Sequence, residues 1–326
     1  MKVLFLHRAK NFGGHSFEQL FTTIKKQLNA VEVSDFYDKT HSSFRKNLKA
    51  IKNIPCDVIH ITGGIGYYAI FLPTEKTILT VHDTNHYEFD LKGIKKWIYG
   101  WAIYRLPIRN VKYVTVVSEH TKQNLIRFFG VNEAKIKVIH NCYPDEFKAH
   151  PKSEAESPFR LLQIGTKPNK NIHRLAEAIK GLPVELTIIG KMNSTLEQSL
   201  IGNNINFILK QNLNRQEMLQ EYINCDLVTF VSLREGFGLP IIEANAVGRP
   251  VITSSVSSMP EVAGDAALLV NPFNVDDIRE GIMRLMEDEP LRATLVAKGF
   301  ENAKHYSPES IAGLYQNVYQ EMISNG

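Results

Sequence analysis

The sequence predicts a two-domain α/β protein in which each domain is a doubly wound parallel sheet. Short, continuously apolar runs alternate with amphipathic stretches along the 326 residues, as in parallel strands covered by helices on both faces. A polar segment with two prolines, over 148–158, interrupts this alternation, which then restarts. At roughly 150 residues per domain, the length also fits two domains with separate cores.

The elements of the first half follow from the apolar runs. The sequence predicts strands over 3–6, 31–36, 58–62, 77–81, 113–117 and 136–139. It predicts helices over 16–28 and 119–129, with Ser118 as the N-cap of the second.

The second half repeats the pattern. Strands are predicted over 159–164, 184–189, 206–209, 227–231, 250–253 and 267–270. Helices are predicted over 172–180, 215–223, 240–247, 275–286, 290–305 and 308–323. We therefore expect domains over 1–150 and 151–307 that face each other across a central cleft, since ligands of such sheets bind at the carboxyl ends of the strands.

The amino-acid composition limits which class of protein this is and in which cellular compartment it lies. With 44% hydrophobic and 22% charged residues, the chain is not disordered, collagenous or a coiled coil. Its three cysteines are widely spaced and include no CxxC pair, which argues against a disulfide framework or a zinc site. The N-terminal apolar run is too short for a signal peptide, and no stretch is long enough to span a membrane. We expect a cytoplasmic protein whose membrane contact, if any, is peripheral and on the inner face of the cytoplasmic membrane.

The net charge of +4 conceals a difference between the halves. Residues 1–150 hold 22 Lys and Arg against 13 Asp and Glu, whereas residues 151–326 hold 16 against 21. A basic half predicts an anionic partner, which leaves nucleic acid, phospholipid headgroups and phosphorylated substrates open. Nucleic-acid binding would bring a steep salt dependence, but the sequence contains no basic aromatic module of the kind that nucleic-acid-binding proteins have.

The most informative segment runs from a strand through a loop into a helix over 231–244. Its glycines, Gly236 and Gly238, allow the backbone to approach a ligand closely. The amides of Phe237, Gly238 and Leu239 precede the helix and suit a phosphate. Glu235 lies before the turn, and we place Glu243 in the first turn of the helix. One carboxylate could therefore accept hydrogen bonds from hydroxyls on one side of a diphosphate, and the other from hydroxyls on the opposite side. The alternative is a tight turn whose acidic residues only complement the helix dipole.

These residues carry a resemblance to a known family. Glu235 and Glu243, with seven residues between them in EGFGLPIIEANAVGRPV, resemble the E-x7-E signature of retaining glycosyltransferases of the GT-B fold, family 4. Weaker resemblances follow in the family's order, namely Gly13-Gly14, Thr80-Val81-His82-Asp83 and the segments 117–122, 135–141, 164–171 and 258–272.

The resemblance implies a role for each matching residue. Glu243 would hold the donor's ribose and Glu235 the transferred sugar, with Lys170 and the amides of 237–239 neutralising the diphosphate. It implies that His82 lies near the reacting sugar. The remaining expected donor-binding residues are Gly13, Gly14, Gly165, Lys167 and Gly236. It also implies that the N-terminal domain binds the acceptor and that the helix over 308–323 crosses back onto that domain.

Departures from the family pattern bear on the donor. Asn169 stands where the family usually has arginine; Lys167 is a possible substitute, although lysine lacks the bidentate fork of arginine. Cys142 follows Asn141 where the family has glycine, and Lys210-Gln211 replaces a glycine in a loop that usually frames the base. The choice among UDP-, GDP- and dTDP-sugars therefore stays open.

The sequence contains no Asp-x-Asp, the carboxylate pair that holds a divalent ion in metal-dependent sugar-nucleotide enzymes. We expect a retaining transferase that needs neither metal nor another cofactor. The resemblance suggests a saccharide or lipid-diphosphate-linked acceptor in bacterial surface polysaccharide, lipopolysaccharide or glycolipid synthesis. A GT-B epimerase, a phosphorylase or a non-catalytic scaffold remain alternatives. If the basic half meets the acceptor, acceptor turnover should fall with ionic strength more steeply than donor binding.

A basic aromatic segment over 92–109 contains both tryptophans of the chain. Ile94, Trp97, Ile98, Trp101 and Arg105 fall at helical spacing, with a basic end formed by Lys92, Lys95 and Lys96. These residues predict either a helix that contacts an acceptor or an anionic bilayer, or a core helix with a solvated basic end.

Two further features are weaker. A lone histidine is more often a structural hydrogen bonder than a catalytic residue, but the place of His82 after a strand and next to Asp83 favours the two roles equally. The glycines of 63–66 follow a strand without matching a dinucleotide-binding fingerprint, so we interpret them as a structural turn, and the sequence argues against NAD.

Overall fold

The computed structural model describes residues 1–9, 16–39, 43–152 and 158–324. It divides into two compact units, Met1–Cys142 with Pro308–Gly326, and Tyr143–Ser307. The division falls at 142 rather than at the expected 150, because the intervening segment is fixed to the second unit. The backbone amide of His150 donates to Val247 over 3.1 Å, and the ring of Phe147 lies 5.3 Å from that of Tyr222.

The first unit is built on a six-stranded sheet in which every described pairing is parallel. The spatial order is β2-β1-β3-β4-β5-β6, so the direction of winding reverses between the first and third strands. The strands are β1 (Lys2–His7), β2 (Glu32–Tyr37), β3 (Val58–Ile61), β4 (Thr77–Val81), β5 (Tyr113–Val116) and β6 (Ile136–Val138).

Helices cover this sheet, and the sequence predicted only some of them. Ser118 caps α5 by accepting the amide of Thr121, as expected, whereas α2 has no counterpart among the predicted helices. A π-helical stretch, Gly100–Arg105, separates α3 from α4. The helices are α1 (Ser16–Gln27), α2 (Phe44–Lys52), α3 (Gly93–Tyr99), α4 (Leu106–Arg109) and α5 (Glu119–Phe129).

The last helix, α13 (Pro308–Ser324), packs within the first unit although it follows the second unit in sequence. Tyr315 and Tyr319 are fully buried beside α1 and β3. The Tyr319 hydroxyl lies 2.7 Å from Nδ1 of His60, and Lys137 donates to Glu321 over 3.0 Å. Apolar burial and these polar contacts therefore fix the helix to the sheet.

The second unit contains another six-stranded parallel sheet, in the order β12-β11-β10-β7-β8-β9. Its winding reverses between β7 and β10, which are neighbours in space. The strands are β7 (Phe159–Ile164), β8 (Val184–Ile189), β9 (Phe207–Lys210), β10 (Leu227–Phe230), β11 (Val251–Ser254) and β12 (Leu268–Val270).

The helices of the second unit include two, α7 and α10, that the sequence did not predict. They are α6 (Ile172–Ile179), α7 (Ser194–Gly202), α8 (Arg215–Asn224), α9 (Leu239–Val247), α10 (Met259–Ala263), α11 (Val275–Glu287) and α12 (Glu289–His305). Two doubly wound parallel sheets confirm the predicted fold class. None of the helices over the described ranges combines the length and the apolarity that a membrane span requires.

Candidate functional site

The candidate site is formed by two loops that leave neighbouring strands. The loop over 165–171 follows β7 and the loop over 231–238 follows β10, the pair between which the winding reverses. This is where open α/β sheets bind their ligands. The backbone amide of Leu233 donates to the carbonyl of Asn169 over 2.8 Å, which ties one loop to the other.

Lys170 and Glu235 meet across these loops. The Lys170 Nζ donates to Glu235 Oε1 over 2.7 Å, and the side chains are 16% and 15% exposed. Lys170 Nζ also lies 4.6 Å from the centre of the Phe230 ring. Asn169 donates to the same Glu235 oxygen over 3.1 Å and to the carbonyl of Arg234 over 3.0 Å. Asn169, at the position of the family's usual arginine, therefore positions Glu235 without adding a charge.

Gly165 makes room for the lysine. Its φ of +86° lies in the region that favours glycine, and a Cβ there would lie 2.8 Å from Cε of Lys170. A larger residue would displace the side chain that carries the cation. Lys167, also predicted to contact the donor, is exposed and accepts the amide of Lys170 through its carbonyl over 2.8 Å.

Two serines that sequence reasoning missed hold the loop after β10. Ser257 Oγ accepts the amide of Glu235 over 3.1 Å and donates to its carbonyl over 2.7 Å. Ser258 Oγ donates to the carbonyl of Phe237 over 2.7 Å. Ser257 has a φ of +62°, an unusual value for serine. No sequence signal marked it, because its role depends on a loop over 20 residues earlier.

The loop leads directly into α9. Gly238 caps the helix with a φ of +119°, and Pro240 occupies its second position. The Phe237 side chain is 4% exposed, with its ring 5.7 Å from that of Tyr306. Phe237 as a whole is therefore buried, next to the positive end of the helix dipole of α9.

Glu243 differs in position from the expectation. The helix begins at Leu239, so Glu243 lies in the second turn rather than the first. It accepts a hydrogen bond of 2.5 Å from the hydroxyl of the buried Tyr222, and burial raises the pKa of the carboxyl. Tyr222 is a further residue that sequence reasoning missed.

Asn171 also holds the loops together. Its φ of +61° is left-handed, and its buried Nδ2 donates to the carbonyls of Val231 and Pro272 over 3.1 and 2.7 Å. The sequence could have indicated this left-handed position of Asn171, because asparagine is among the few non-glycine residues that adopt this conformation readily.

His82 lies in the first unit, at the end of β4. It is 8% exposed, and its Nε2 donates to the carbonyl of Thr62 over 2.7 Å. Burial lowers the pKa of His82 to about 4, so the ring is neutral near pH 7. A Cβ on Gly63, which has a φ of +130°, would lie 2.7 Å from Cδ2 of His82. The glycine turn therefore accommodates the histidine.

The other predicted residues fall elsewhere in the chain. Gly13 and Gly14 lie outside the described residues. Lys92 immediately precedes α3, Lys95, Lys96 and Trp97 lie on that helix, and Trp101 and Arg105 lie on the π-helical stretch after it. Over the described ranges, no three His, Cys, Asp or Glu side chains converge as metal ligands would.

The fold and this site define the chain as a two-domain α/β protein of the GT-B class. Sucrose-phosphate synthase from Thermosynechococcus elongatus is similar over 100% of both chains, with a TM-score of 0.80 and 17% identity. Anabaena HepE, solved with UDP and glucose, is similar over 98% of this chain and 100% of that one, with a TM-score of 0.79 and 17% identity.

Family comparison is more specific. Residues 145–302 match the family described as glycosyl transferases group 1, and residues 24–147 match glycosyltransferase family 4. The chain belongs to the group 1 glycosyltransferases.

Among curated relatives, the chain is similar to O-antigen chain mannosyltransferase B of Escherichia coli, with 29% identity over 65% of this chain. It is also similar to O-antigen chain mannosyltransferase RfbU of Salmonella typhimurium, with 29% identity over 63% of this chain. These matches span 61% and 59% of the relatives' own lengths.

Proposed function

We propose that the protein transfers a sugar, with retention of configuration, from a nucleotide-diphosphate sugar to a saccharide or lipid-linked acceptor. The observation that carries the proposal is the Lys170–Glu235 pair, 2.7 Å apart, beside the N-terminal end of α9. The cation and the helix N-terminus match the negative charge of a diphosphate, and the carboxylate can accept hydrogen bonds from the hydroxyls of its sugar.

The proposed chemistry is electrostatic. The bond between the anomeric carbon and the diphosphate oxygen breaks, and its electron pair leaves with the diphosphate. Lys170 and the amides at the start of α9 stabilise that charge as it develops, without a divalent metal. The oxygen of the acceptor hydroxyl then bonds to the anomeric carbon on the face that the diphosphate leaves, and the hydroxyl proton passes to the departing diphosphate. Glu235 orients Lys170 and accepts hydrogen bonds from hydroxyls of the transferred sugar.

Glu243 is proposed to hold the ribose hydroxyls of the donor. Its Oε2 is engaged by Tyr222, which fixes the carboxylate and leaves Oε1 for a ligand. Glu243 lies one turn inside α9, farther along the helix than the amides at its start. In a nucleotide sugar the ribose is likewise displaced from the diphosphate, so the two positions suit the two parts of the donor. Gly165 and Lys167 are proposed donor contacts on the loop after β7.

The acceptor is assigned to the N-terminal unit, where the surplus of positive charge lies. His82, neutral and hydrogen-bonded, would approach the sugar as a polar contact and not as a proton donor. The relatives named O-antigen chain mannosyltransferases support a role in bacterial surface polysaccharide synthesis. We propose that the reaction takes place at the inner face of the cytoplasmic membrane.

A donor panel followed by product analysis tests the proposal. One of UDP-glucose, GDP-mannose or a dTDP-sugar should raise the thermal midpoint, since a ligand stabilises the state that binds it. That donor should then give a glycoside of retained configuration with a lipid-diphosphate acceptor, equally well in EDTA. A new sugar nucleotide from donor alone would indicate an epimerase, and phosphate-dependent cleavage would indicate a phosphorylase. Donor binding without turnover of any acceptor would favour a scaffold.

A further inference from the structure

The segment Phe89 to Arg109 has a row of apolar side chains exposed to solvent, called here the stripe. Ile94, Trp97, Ile98 and Trp101, at helical positions i, i+3, i+4 and i+7, are 70%, 64%, 52% and 47% exposed. Positions with this spacing share one face of a helix. Phe89 and Ile103, also exposed, flank the stripe. Contiguous exposed apolar surface of this kind marks an interaction site.

The opposite face of the segment is fixed to the unit. The ring of Tyr104 stacks on Phe129 with centres 4.5 Å apart. A Cβ on Gly100 would lie 2.6 Å from Cε2 of Tyr87, and the ammonium of Lys96 lies 4.8 Å from the Tyr87 ring. The stripe therefore faces outward because aromatic packing occupies the other side. Within the segment, α3 lies at the surface because it has no buried residue, whereas Tyr104, Pro107 and Ile108 farther along are buried. The segment therefore combines a surface helix with a core-packed end.

Positive charge surrounds the stripe. Between residues 89 and 109 the sequence has five Lys and Arg and one acidic residue, Asp90. Asp90 lies 3.1 Å from the ring of His86. Lys92, Lys95 and Arg105 are exposed. A helix with tryptophan and isoleucine on one face and lysines at its border is typical of segments that lie in the interface of an anionic bilayer.

A cavity of about 460 Å³ adjoins the stripe. Trp101 lines it together with Arg105, Arg109 and Lys135. The Lys135 ammonium donates to the carbonyl of Arg109 over 3.3 Å, which holds it at the cavity wall. Three cations around one cavity suit a phosphate group, and the adjoining tryptophan provides the apolar side that an acyl chain requires.

We propose that this surface seats the protein on an anionic phospholipid bilayer, with the Ile94–Trp101 stripe in the interface. The cavity takes the phosphate of one lipid headgroup. Charge complementarity favours a bilayer over a protein partner, because Lys92, Lys95 and Arg105 are exposed on the same segment as the stripe and Arg109 and Lys135 line the adjoining cavity. The proposal does not depend on glycosyl transfer, and its test measures neither donor binding nor turnover.

Intrinsic fluorescence is a direct probe, because both tryptophans of the chain, Trp97 and Trp101, lie on the stripe. With the full chain, vesicles of phosphatidylcholine and phosphatidylglycerol should shift the emission to the blue, and brominated acyl chains should quench it. Phosphatidylcholine alone should do neither. Co-sedimentation with the anionic vesicles should weaken on the order of tenfold at high salt.

Variants separate the stripe from the cavity. Trp97→Ser combined with Trp101→Ser should abolish co-sedimentation, whereas Ile201→Ser, which changes a side chain equally exposed in the second unit, should not. Arg109→Gln combined with Lys135→Gln should weaken binding to anionic vesicles, with Lys49→Gln as the exposed control. Circular dichroism and the thermal midpoint verify folding in each case.

Several outcomes would overturn the proposal. They are unchanged emission with anionic vesicles, equal binding to phosphatidylcholine, and full co-sedimentation of the tryptophan double variant. An emission change produced equally by inorganic phosphate would mean a free-phosphate site instead. Concentration-dependent mass in light scattering, lost on Trp97→Ser, would assign the stripe to a second copy of the chain.

Discussion

The Lys170 ammonium and the Glu235 carboxylate lie 2.7 Å apart, each about one-sixth exposed, although 65 residues separate them in the sequence. One follows β7 and the other follows β10, so their proximity results from strand order. Asn169 donates a hydrogen bond to the carboxylate, and Gly165, which has no Cβ, leaves space for the side chain of Lys170. The pair is accordingly the most sensitive point of the proposed site.

Replacing Lys170 by methionine should lower kcat on the order of 10²- to 10³-fold, the effect of removing one group that stabilises transition-state charge. Donor affinity should fall less, because amides of α9 still bind the diphosphate. Steady-state kinetics measure both quantities. Lys180→Met, at an exposed position of the same unit, is the control. Equal losses of kcat in the two variants would exclude the assigned role.

Glu235→Gln should also reduce kcat while the fold survives, because glutamine keeps the size of the side chain and an oxygen for Lys170. The measurement is kcat beside the thermal midpoint of unfolding. Wild-type turnover in this variant would contradict the role given to the carboxylate.

Gly165→Ala should lose activity because its Cβ would lie 2.8 Å from Cε of Lys170. The φ of +86° adds strain of about 1–2 kcal/mol to the folded state. Gly181→Ala is a matched control, since Gly181 has a φ of +75° and an open space around its Cβ position. Urea unfolding should show similar destabilisation in both variants, and kinetics should show the activity loss only at 165. Equal activity in both would mean that Lys170 tolerates displacement.

His82 should make stability depend on pH below 6.5. Burial lowers its pKa from the ordinary value near 6.5 to about 4. The unfolded chain therefore binds more protons between these values, so stability is complete above pH 6.5 and is lost as pH falls toward 4. The expected loss is on the order of 3 kcal/mol.

Urea unfolding followed by tryptophan fluorescence, which reports the first unit, measures this slope. His82→Gln, which can still donate to Thr62, should make the slope shallower without removing it, because burial also lowers the pKa of His60 well below its ordinary value. His305→Gln at an exposed position should leave the slope unchanged. An identical slope in the His82 variant would assign the acid sensitivity to other groups.

The attachment of α13 can be tested with two tyrosines. Tyr319→Phe leaves the buried Nδ1 of His60 without its partner and should cost about 1–3 kcal/mol. Tyr113→Phe removes a hydrogen bond of 2.7 Å to Glu321, whose side chain is 37% exposed. Water replaces that bond, so the cost should stay below about 1 kcal/mol. Chemical denaturation compares the two, and equal losses would contradict the importance of burial at His60.

Much of the fold was predictable because apolar runs report burial directly. The bounds of β4, β7 and β8 agree with the predicted strands. Helices α2, α7 and α10 were missed. In α2, charged residues outnumber buried ones, with only Asn47 and Ile51 buried, so periodicity gave a weak signal there. Glu243 was placed one turn too early, since the start of a helix behind two glycines depends on backbone dihedrals.

By itself the sequence determined the two doubly wound domains and the glycine loop with Glu235 before α9, because apolar period and turn chemistry are local properties. Lys170 became a candidate through the family resemblance. Only the tertiary structure decided that Asn169, Ser257 and Tyr222 position the carboxylates, and that the Trp97 face of α3 lies outward. Those outcomes depend on strand order and on which aromatic side chains fill the space behind the helix, and such contacts join residues far apart in the chain.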